Sequence, residues 1–326
     1  MAKDRKARLD QAAKLVEKDQ LEKAIRIYTK LIGEDPSDFR TVHKAAEIYA
    51  RSGNAKLALE GYLKVAEHHA RQGFYPQAAA VYKQALRLAA NRNDIHLTLG
   101  ELHLKMELKA EAVTNFAAAA ALLQKENAHR RAVSVLERAL EAAPDHAAVH
   151  LRLADALERA GETRQASERF EEAANLLRQQ KRLTEFLRVG DRALKLDSTR
   201  YDLARSIAAT YIDNGKPKRA LSRLQKAFRA DPGHVTTLDL MARAFVALDQ
   251  PKKAARVYGE KAQRQNKLGD RSGAEATYTR VLELRPGDPA AIAFLGLGPE
   301  LSGEHAATKD GPEPLAPVRS GATGMF

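Results

Sequence analysis

The fold is decided by residues 201–232, which read YDLARSIAAT YIDNGKPKRA LSRLQKAFRA DP. Small residues recur where two helices would cross, and a large apolar residue follows nearby to fill the space between hairpins. Gly215 stands where a first helix must turn, as Gly53, Gly73, Gly161 and Gly269 do elsewhere in the chain, and Pro232 stands where a second helix must stop. The small residues are Ala208, Ala220 and Ala227, and the large ones are Tyr211 and Leu224. The stretch therefore predicts a hairpin of two helices.

The same pattern returns along most of the chain. A small residue precedes an aromatic residue or leucine by four positions at Ala24 with Tyr28, Ala58 with Tyr62, Ala78 with Tyr82, Ala112 with Phe116, Ala132 with Leu136, Ala166 with Phe170, Ala220 with Leu224, Ala254 with Tyr258 and Ala274 with Tyr278. Phe186 with Gly190 marks one degenerate place in the series. One such match would be weak evidence, whereas ten in series indicate an internal repeat.

These residues resemble the tetratricopeptide repeat, a 34-residue unit of two helices with small residues at its positions 8, 20 and 27 and proline at position 32. The resemblance covers about residues 5–287. It implies an all-α fold, a right-handed solenoid of antiparallel helix hairpins with about sixteen helices. It also implies a protein that binds other proteins or peptides and is not an enzyme.

The spacing of the repeats is uneven and predicts shared helices. From residue 24 to residue 274 the anchors are 34, 20, 34, 20, 34, 20, 34, 34 and 20 residues apart. A step of 20 residues leaves no room for two new helices, so the second helix of one unit must also be the first helix of the next. Four long helices are therefore predicted, near residues 54–72, 108–126, 163–180 and 251–268.

The ends of the chain differ from the repeats. We expect the solenoid to occupy residues 1–287, a capping helix to occupy 288–298, and the Pro- and Gly-rich residues 299–326 to be disordered. The charged N-terminus lacks the apolar stretch of a signal peptide. The longest apolar run, residues 116–123, is far shorter than the roughly 20 residues of a membrane span. These features predict a soluble, cytoplasmic protein.

No pattern of catalytic or metal-binding residues is present in the sequence. There is no cysteine, which removes thiolate catalysis and the usual zinc sites. His68 with His69, His96 with His103, and His146 with His150 lack acidic partners in a known ligand pattern. We therefore expect no catalytic site, no cofactor and no metal.

Two sets of charged residues are candidates for partner binding. In the family the first helix of each unit lines a concave groove, and its position 9 corresponds here to Glu47, Glu67, Glu101 and Asp155, with Arg205 and Arg243 in the C-terminal half. A groove acidic at one end and basic at the other would orient a partner by charge complementarity. The competing interpretation is pairing within each helix, of Glu47 with Arg51, Glu67 with Arg71, Glu101 with Lys105 and Asp155 with Arg159.

The second set lies in residues 181–271, which hold 21 Lys or Arg and 10 Asp or Glu, or +11 of the formal charge of +12. Its candidate residues are expected to face outward and are Lys218, Arg219, Arg223, Lys226, Lys252, Lys253 and Arg256. An acidic protein or an anionic membrane would be attracted to such a face, which could also serve only for solubility. Nucleic acid is disfavoured, because aromatic stacking residues are few.

The sequence thus predicts a non-catalytic scaffold or adaptor. Its richness in Ala and Arg suggests a bacterial protein, and motility, pilus, secretion or signalling assemblies are the settings expected from the family. The alternative is a regulator whose solenoid changes curvature when a peptide or another ligand binds.

Overall fold

The structure, a computed structural model, describes residues 2–297. Every regular element in this range is an α-helix. The seventeen helices are α1 (Ala2–Glu17), α2 (Leu21–Glu34), α3 (Phe39–Arg51), α4 (Ala55–Arg71), α5 (Tyr75–Leu88), α6 (Asn93–Lys105), α7 (Lys109–Lys125), α8 (His129–Ala142), α9 (Ala147–Arg159), α10 (Thr163–Gln179), α11 (Leu183–Leu196), α12 (Tyr201–Asp213), α13 (Pro217–Ala230), α14 (Val235–Ala247), α15 (Pro251–Lys267), α16 (Arg271–Leu284) and α17 (Pro289–Leu295).

The chain divides into two compact units, Met1–Thr210 and Tyr211–Phe326, with the division inside α12. Consecutive helices pack against one another in chain order from α1 to α11 in the first unit and from α13 to α17 in the second. This serial packing is that of an α-solenoid built from tetratricopeptide-like hairpins, as the repeat pattern predicted.

The four long helices are present where the 20-residue steps predicted them. The helices α4, α7, α10 and α15 each have 17 residues, whereas the helices on either side of each have 13 or 14. Each long helix packs extensively against both the helix before it and the helix after it. The prediction that one helix serves two successive units is therefore confirmed.

The alternating small and large anchors form the core. Ala112 and Phe116 of α7 and Ala166 of α10 are completely buried, and all the other anchor pairs, including Phe186 with Gly190, are buried as well. At Gly100 of α6 the crossing is so close that an added Cβ atom would lie 2.6 Å from the Phe116 ring. The small residues therefore set how closely neighbouring helices approach.

Short turns with a left-handed residue close many of the hairpins. The predicted turn glycines Gly53, Gly73, Gly161, Gly215 and Gly269 all have positive φ angles. Five further turns place a residue other than glycine in this conformation, which the sequence analysis did not predict: Asp19, Glu107, Asn127, Lys181 and Asp249. A side chain at such a position costs energy that glycine avoids.

Polar contacts stabilise the first and the last helix of the described chain. Arg5 of α1 reaches Asp38, the residue before α3, with nitrogen and oxygen atoms 2.6 Å apart. At the other end, Asp288 caps α17 by accepting hydrogen bonds from the backbone of Ala290 and Ala291. The prediction that residues 299–326 are disordered concerns a segment outside the described residues.

Candidate binding surfaces

An apolar cleft opens between α2, α3 and α4 in the first unit. Its volume is 440 Å³, and its apolar wall includes Ile32 of α2, Phe39 and Tyr49 of α3, and Leu57 of α4. Leu57 is 39% exposed although it is a large apolar side chain. Concave apolar surface of this kind is characteristic of binding sites. We call this feature the α2–α4 cleft.

Two close contacts hold the walls of the α2–α4 cleft in place. An added Cβ atom on Gly61 of α4 would lie 2.8 Å from the Cβ atom of Ala46, so glycine allows α3 and α4 to cross here without a clash. Nearer the start of α3, the Phe39 ring stacks on His68, with ring centroids 3.8 Å apart. The cleft is therefore formed by packed helices rather than by loops.

Charged side chains surround the apolar wall. Lys64 lies 2.9 Å from Glu60, and Arg71 lies 3.5 Å from Glu67, each pair one turn apart on α4. All four side chains are more than half exposed, so each ion pair contributes only tenths of a kcal/mol. They can exchange these partners for charges on a bound segment at little cost.

A second cleft of 330 Å³ shares Phe39 and His68 with the first and is also lined by His43 and His69. Burial lowers the pKa of His69, and the neighbouring His68 and His43 lower it further. His43 is 3.0 Å from the side-chain oxygen of Gln84. Among the described residues, no group of three His, Cys, Asp or Glu side chains is placed to hold a metal ion.

The predicted acidic row is neutralised in its second half by arginines from other helices. Glu101 lies 2.8 Å from Arg138, and Asp155 lies 2.6 Å from Arg192. Both arginines come from the helix two elements further along the chain. Each pair links the helix before a long helix to the helix after it, α6 to α8 and α9 to α11. We call such a group of three consecutive helices, with the long helix in the middle, a three-helix set.

The interpretation of the acidic row as pairing within each helix was therefore wrong for most of its members. Of the four expected pairs, the structure forms Glu67 with Arg71, whereas Arg51 lies 3.4 Å from Asp19 instead of pairing with Glu47. Glu101 and Asp155 have the interhelical partners described above. An acidic and a basic residue four positions apart on one helix can pair. In the structure, however, arginines from the helix two elements further along contact Glu101 and Asp155 instead.

Glu47 differs from Glu101 and Asp155 because it is exposed and takes part in no ion pair among the described residues. The position that would correspond to Arg138 is occupied by Gln84, since 138 and 84 differ by the same 54 residues as 101 and 47. Burial raises the pKa of Tyr28 and of Tyr62, and the Glu47 carboxylate raises both further. Glu47 thus lies beside two core tyrosines with its charge uncompensated.

The two basic groove candidates are both engaged by carboxylates. Arg205, in the first unit, lies 2.6 Å from Asp202, one turn earlier on α12. Arg243, in the second unit, lies 3.0 Å from Asp213. Neither interaction was predicted from the sequence.

Sequence reasoning also missed a polar cluster around Arg200, the residue before α12. Its guanidinium donates to the Ser167 hydroxyl at 2.8 Å and contacts the carboxylates of Glu171 and Asp197. Ser167 is completely buried and donates to the Ala193 carbonyl oxygen at 3.0 Å. Arg200 therefore joins α10, α11 and α12. The sequence feature that could have indicated this cluster is a single Arg between two predicted helices. The sequence analysis counted Arg200 in the net charge of residues 181–271 but predicted no partner for it.

The predicted basic face lies on α13 and α15 of the second unit. Six of its seven members are exposed, and Arg223 is half-buried. Arg256 lies 3.8 Å from Glu260, whereas Lys218, Arg219, Lys252 and Lys253 form no ion pair with any described residue. The expected outward orientation of these residues agrees with their exposure.

Models of known protein families match the middle of the chain. Two family models, both described as tetratricopeptide repeat, match residues 63–126 and 123–188. These matches show tetratricopeptide repeats in residues 63–188, and consecutive helices pack in chain order from α1 to α11 and from α13 to α17. This class of helical repeat generally serves as a scaffold for protein interactions. The search of curated proteins found no match.

Several solved structures are similar to the chain. A crystal structure of MamA protein is 14% identical, with 64% of this chain and 92% of that chain covered and a TM-score of 0.26. Yeast Tom70 is 16% identical, with 86% and 63% covered and a TM-score of 0.31. The TPR2AB domain of yeast Sti1, in a structure described as a complex with pHSP90, is 13% identical, with 89% and 99% covered and a TM-score of 0.32.

No helix among residues 2–297 is both long enough and apolar enough to cross a membrane.

Proposed function

We propose that this chain is a non-catalytic scaffold or adaptor that holds a segment of a partner protein, and that an apolar side chain of this segment enters the α2–α4 cleft. The observation that supports the proposal is the cleft itself, 440 Å³ of largely apolar wall formed by packed helices. A site of this kind accommodates one or two large side chains and excludes water from them.

The charges near the cleft are two acid–base pairs on α4 and Glu47 on α3, which pairs with no described residue, so they favour a cation beside the apolar anchor of the segment. Glu67 lines the cleft, and Glu47 lies on α3, the helix that contributes Phe39 and Tyr49 to its wall. Glu101 and Asp155 are already engaged by Arg138 and Arg192, so they have less to offer a partner. The acidic part of the groove that remains available is therefore at Glu47, which has no ion pair with a described residue, and at Glu67, whose 3.5 Å pair with Arg71 is longer and more exposed.

The proposal is tested by selecting binding peptides from a random library displayed on phage, with the full chain as bait. The selected peptides are then titrated against the Leu57→Glu variant, which places a charge at the cleft. Leu183→Glu is the matched control, because Leu183 is 40% exposed and also lies in the first turn of its helix, but in α11.

We expect Leu57→Glu to weaken peptide binding about tenfold, the cost of losing one partly buried leucine contact, and Leu183→Glu to leave it unchanged. Equal affinity for the wild-type chain and the Leu57→Glu variant would contradict the proposal. The kind of assembly in which the scaffold acts, and any change of its curvature on binding, stay predictions of the sequence.

A further inference from the structure

The second unit carries a strongly basic surface. The helix α13 contains five Lys or Arg residues and no acidic residue, and α15 contains six with a single acid, Glu260. Lys261 lies 2.7 Å from Asp239, and Arg256 lies 3.8 Å from Glu260, so part of the charge on α15 is compensated locally. Four of the remaining cations lie in the first turns of the two helices, two on each.

The starts of α13 and α15 repeat the same sequence pattern, Pro217-Lys218-Arg219-Ala220 and Pro251-Lys252-Lys253-Ala254, one 34-residue unit apart. All four cations are exposed, and none of them forms an ion pair with a described residue. Neither first turn contains an acidic residue. Because cations in a first turn work against the helix dipole, helix stability does not account for this repeated pair.

Aromatic rings hold two of the cations in place. The Arg219 guanidinium lies 5.9 Å from the centre of the Tyr211 ring, and the Lys253 ammonium lies 5.8 Å from the centre of the Phe245 ring. The two contacts occupy the same positions in successive units, since 245 and 211 also differ by 34. A cation that rests on a ring loses less conformational freedom when it binds an anion.

The topology brings the two pairs to the same end of the unit. The helix α14 packs against both α13 and α15, and each connection is a short turn. Successive helices joined in this way run antiparallel, so α13 and α15 begin at the same end. The four cations therefore form one surface across two neighbouring hairpins, which we call the basic end.

The surroundings of the basic end favour an acidic polypeptide over a nucleic acid or a membrane. Among residues 211–297 no aromatic side chain is highly exposed, so bases would find no stacking platform. The most exposed large apolar residue there is Leu268, 63% exposed, but it follows α15 at the opposite end from Lys252. Sixteen residues of helix place it about 24 Å away, so it cannot enter a bilayer held at the basic end.

We propose that the basic end, Lys218, Arg219, Lys252 and Lys253, docks an acidic segment of a partner protein. Charge complementarity supplies the attraction, and the repeat of the pair across two hairpins suits an extended chain with several carboxylates. This surface belongs to the second unit, whereas the α2–α4 cleft belongs to the first.

The test titrates the full chain with a short fluorescent peptide of repeated Glu-Glu-Gly and, for comparison, repeated Gln-Gln-Gly. In the basic-end variant, Lys218→Gln, Arg219→Gln, Lys252→Gln and Lys253→Gln are combined. The control combines Arg130→Gln, Arg131→Gln, Lys109→Gln and Lys125→Gln, which removes the same charge from exposed residues of α7 and α8. Circular dichroism checks that both variants remain helical.

We expect the acidic peptide to bind the wild-type chain in low salt, and the basic-end variant to bind it about tenfold more weakly. The control should bind within about twofold of wild type, and Leu57→Glu should retain the interaction, which separates this proposal from that for the cleft. Absence of binding, equal loss in the control, or unchanged affinity in the basic-end variant would overturn the proposal. The wild-type chain is also titrated with duplex DNA and with phosphatidylserine vesicles. If either binds more tightly than the acidic peptide and this binding is lost in the basic-end variant, the proposal is overturned in favour of that ligand.

Discussion

Arg138 of α8 donates hydrogen bonds to both carboxylate oxygens of Glu101 of α6, at 2.8 and 3.0 Å, and so spans past the long helix α7 that lies between them in the chain. Arg192 and Asp155 repeat the arrangement in the next three-helix set, 54 residues later for both partners. The set before them has Glu47 but no corresponding arginine. Whether a carboxylate of the acidic row is free to bind a partner therefore depends on whether an arginine from another helix already pairs with it.

This difference predicts which acidic residues attract a partner. Glu47→Gln combined with Glu67→Gln should weaken binding of cation-bearing cleft peptides several-fold, because each exposed charge contributes about 0.2–1 kcal/mol. The matched variant, Glu101→Gln with Asp155→Asn, should leave binding unchanged, since arginines of other helices hold both carboxylates at 2.8 and 2.6 Å, whereas Glu67 pairs only with the exposed Arg71 at 3.5 Å. Fluorescence anisotropy titrations measure both. Similar losses in the two variants would contradict the assignment.

Asp38 predicts acid-dependent stability at the start of the solenoid. Burial raises the pKa of its carboxyl group, but hydrogen bonds from Thr41 and Arg5 outweigh this effect and lower the pKa to about 2. Since the unfolded value is about 3.9, the folded state favours the ionised form, and this stabilisation is lost as the pH falls from about 4 to about 2. Above that range it contributes about 2 kcal/mol.

Asp38→Asn should therefore be less stable than wild type at neutral pH by about 2 kcal/mol, and the difference should disappear near pH 2. Urea denaturation followed by circular dichroism at several pH values measures this change. Asp10→Asn is the control, because Asp10 is exposed on α1. A constant difference between Asp38→Asn and wild type across this pH range would show that the charge of Asp38 is not responsible.

The left-handed turn residues predict opposite effects of two substitutions. Lys181 has a φ angle of 60° in the turn between α10 and α11, and Gly161 has one of 85° in the turn before α10. Lys181→Gly should stabilise the protein by up to about 1 kcal/mol, because the strain of a side chain exceeds the entropic cost of glycine. Gly161→Ala should destabilise it by about 1 kcal/mol. Thermal denaturation reports both, and a shift in the same direction for the two would refute the strain argument.

The close crossing of α6 and α7 predicts that Gly100 tolerates no side chain. Gly100→Ala should destabilise by about 1–3 kcal/mol, because the methyl group would meet the Phe116 ring. Gly259→Ala is the control: it lies within α15 with no neighbouring atom near the added Cβ, so it should stabilise by about 0.5–1 kcal/mol. Combining Gly100→Ala with Phe116→Leu should recover part of the loss if the clash is its cause.

Much of the fold follows from the sequence because its determinants are close together along the chain. The four-residue spacing of Ala112 and Phe116 places both on one face of a helix, and the 20-residue steps leave no alternative to shared helices. The glycines at the turns were predicted for the same local reason. Glu107 and Lys181 were not, because neither residue type signals a left-handed conformation, which the packing of the flanking helices imposes.

The candidate sites were only partly predictable. The sequence identified Lys218, Arg219, Lys252 and Lys253 as a basic, outward-facing group, since their exposure follows from their helix positions. It did not reveal the α2–α4 cleft, which depends on the close crossing of α3 and α4 at Gly61 and on the side chains that α2 adds to the wall. Nor did it predict the arginine partners of the acidic row, because they lie 37 residues further along the chain, on different helices.

The sequence by itself determined that the chain is a series of helical hairpins with four shared long helices, because helix length, crossing points and turns depend on local spacing. Only the tertiary structure decided which charges are free and where apolar surface stays open. Those properties depend on distances between side chains of different helices: Arg138 and Arg192 neutralise Glu101 and Asp155, while Glu47 is left exposed beside Tyr28 and Tyr62.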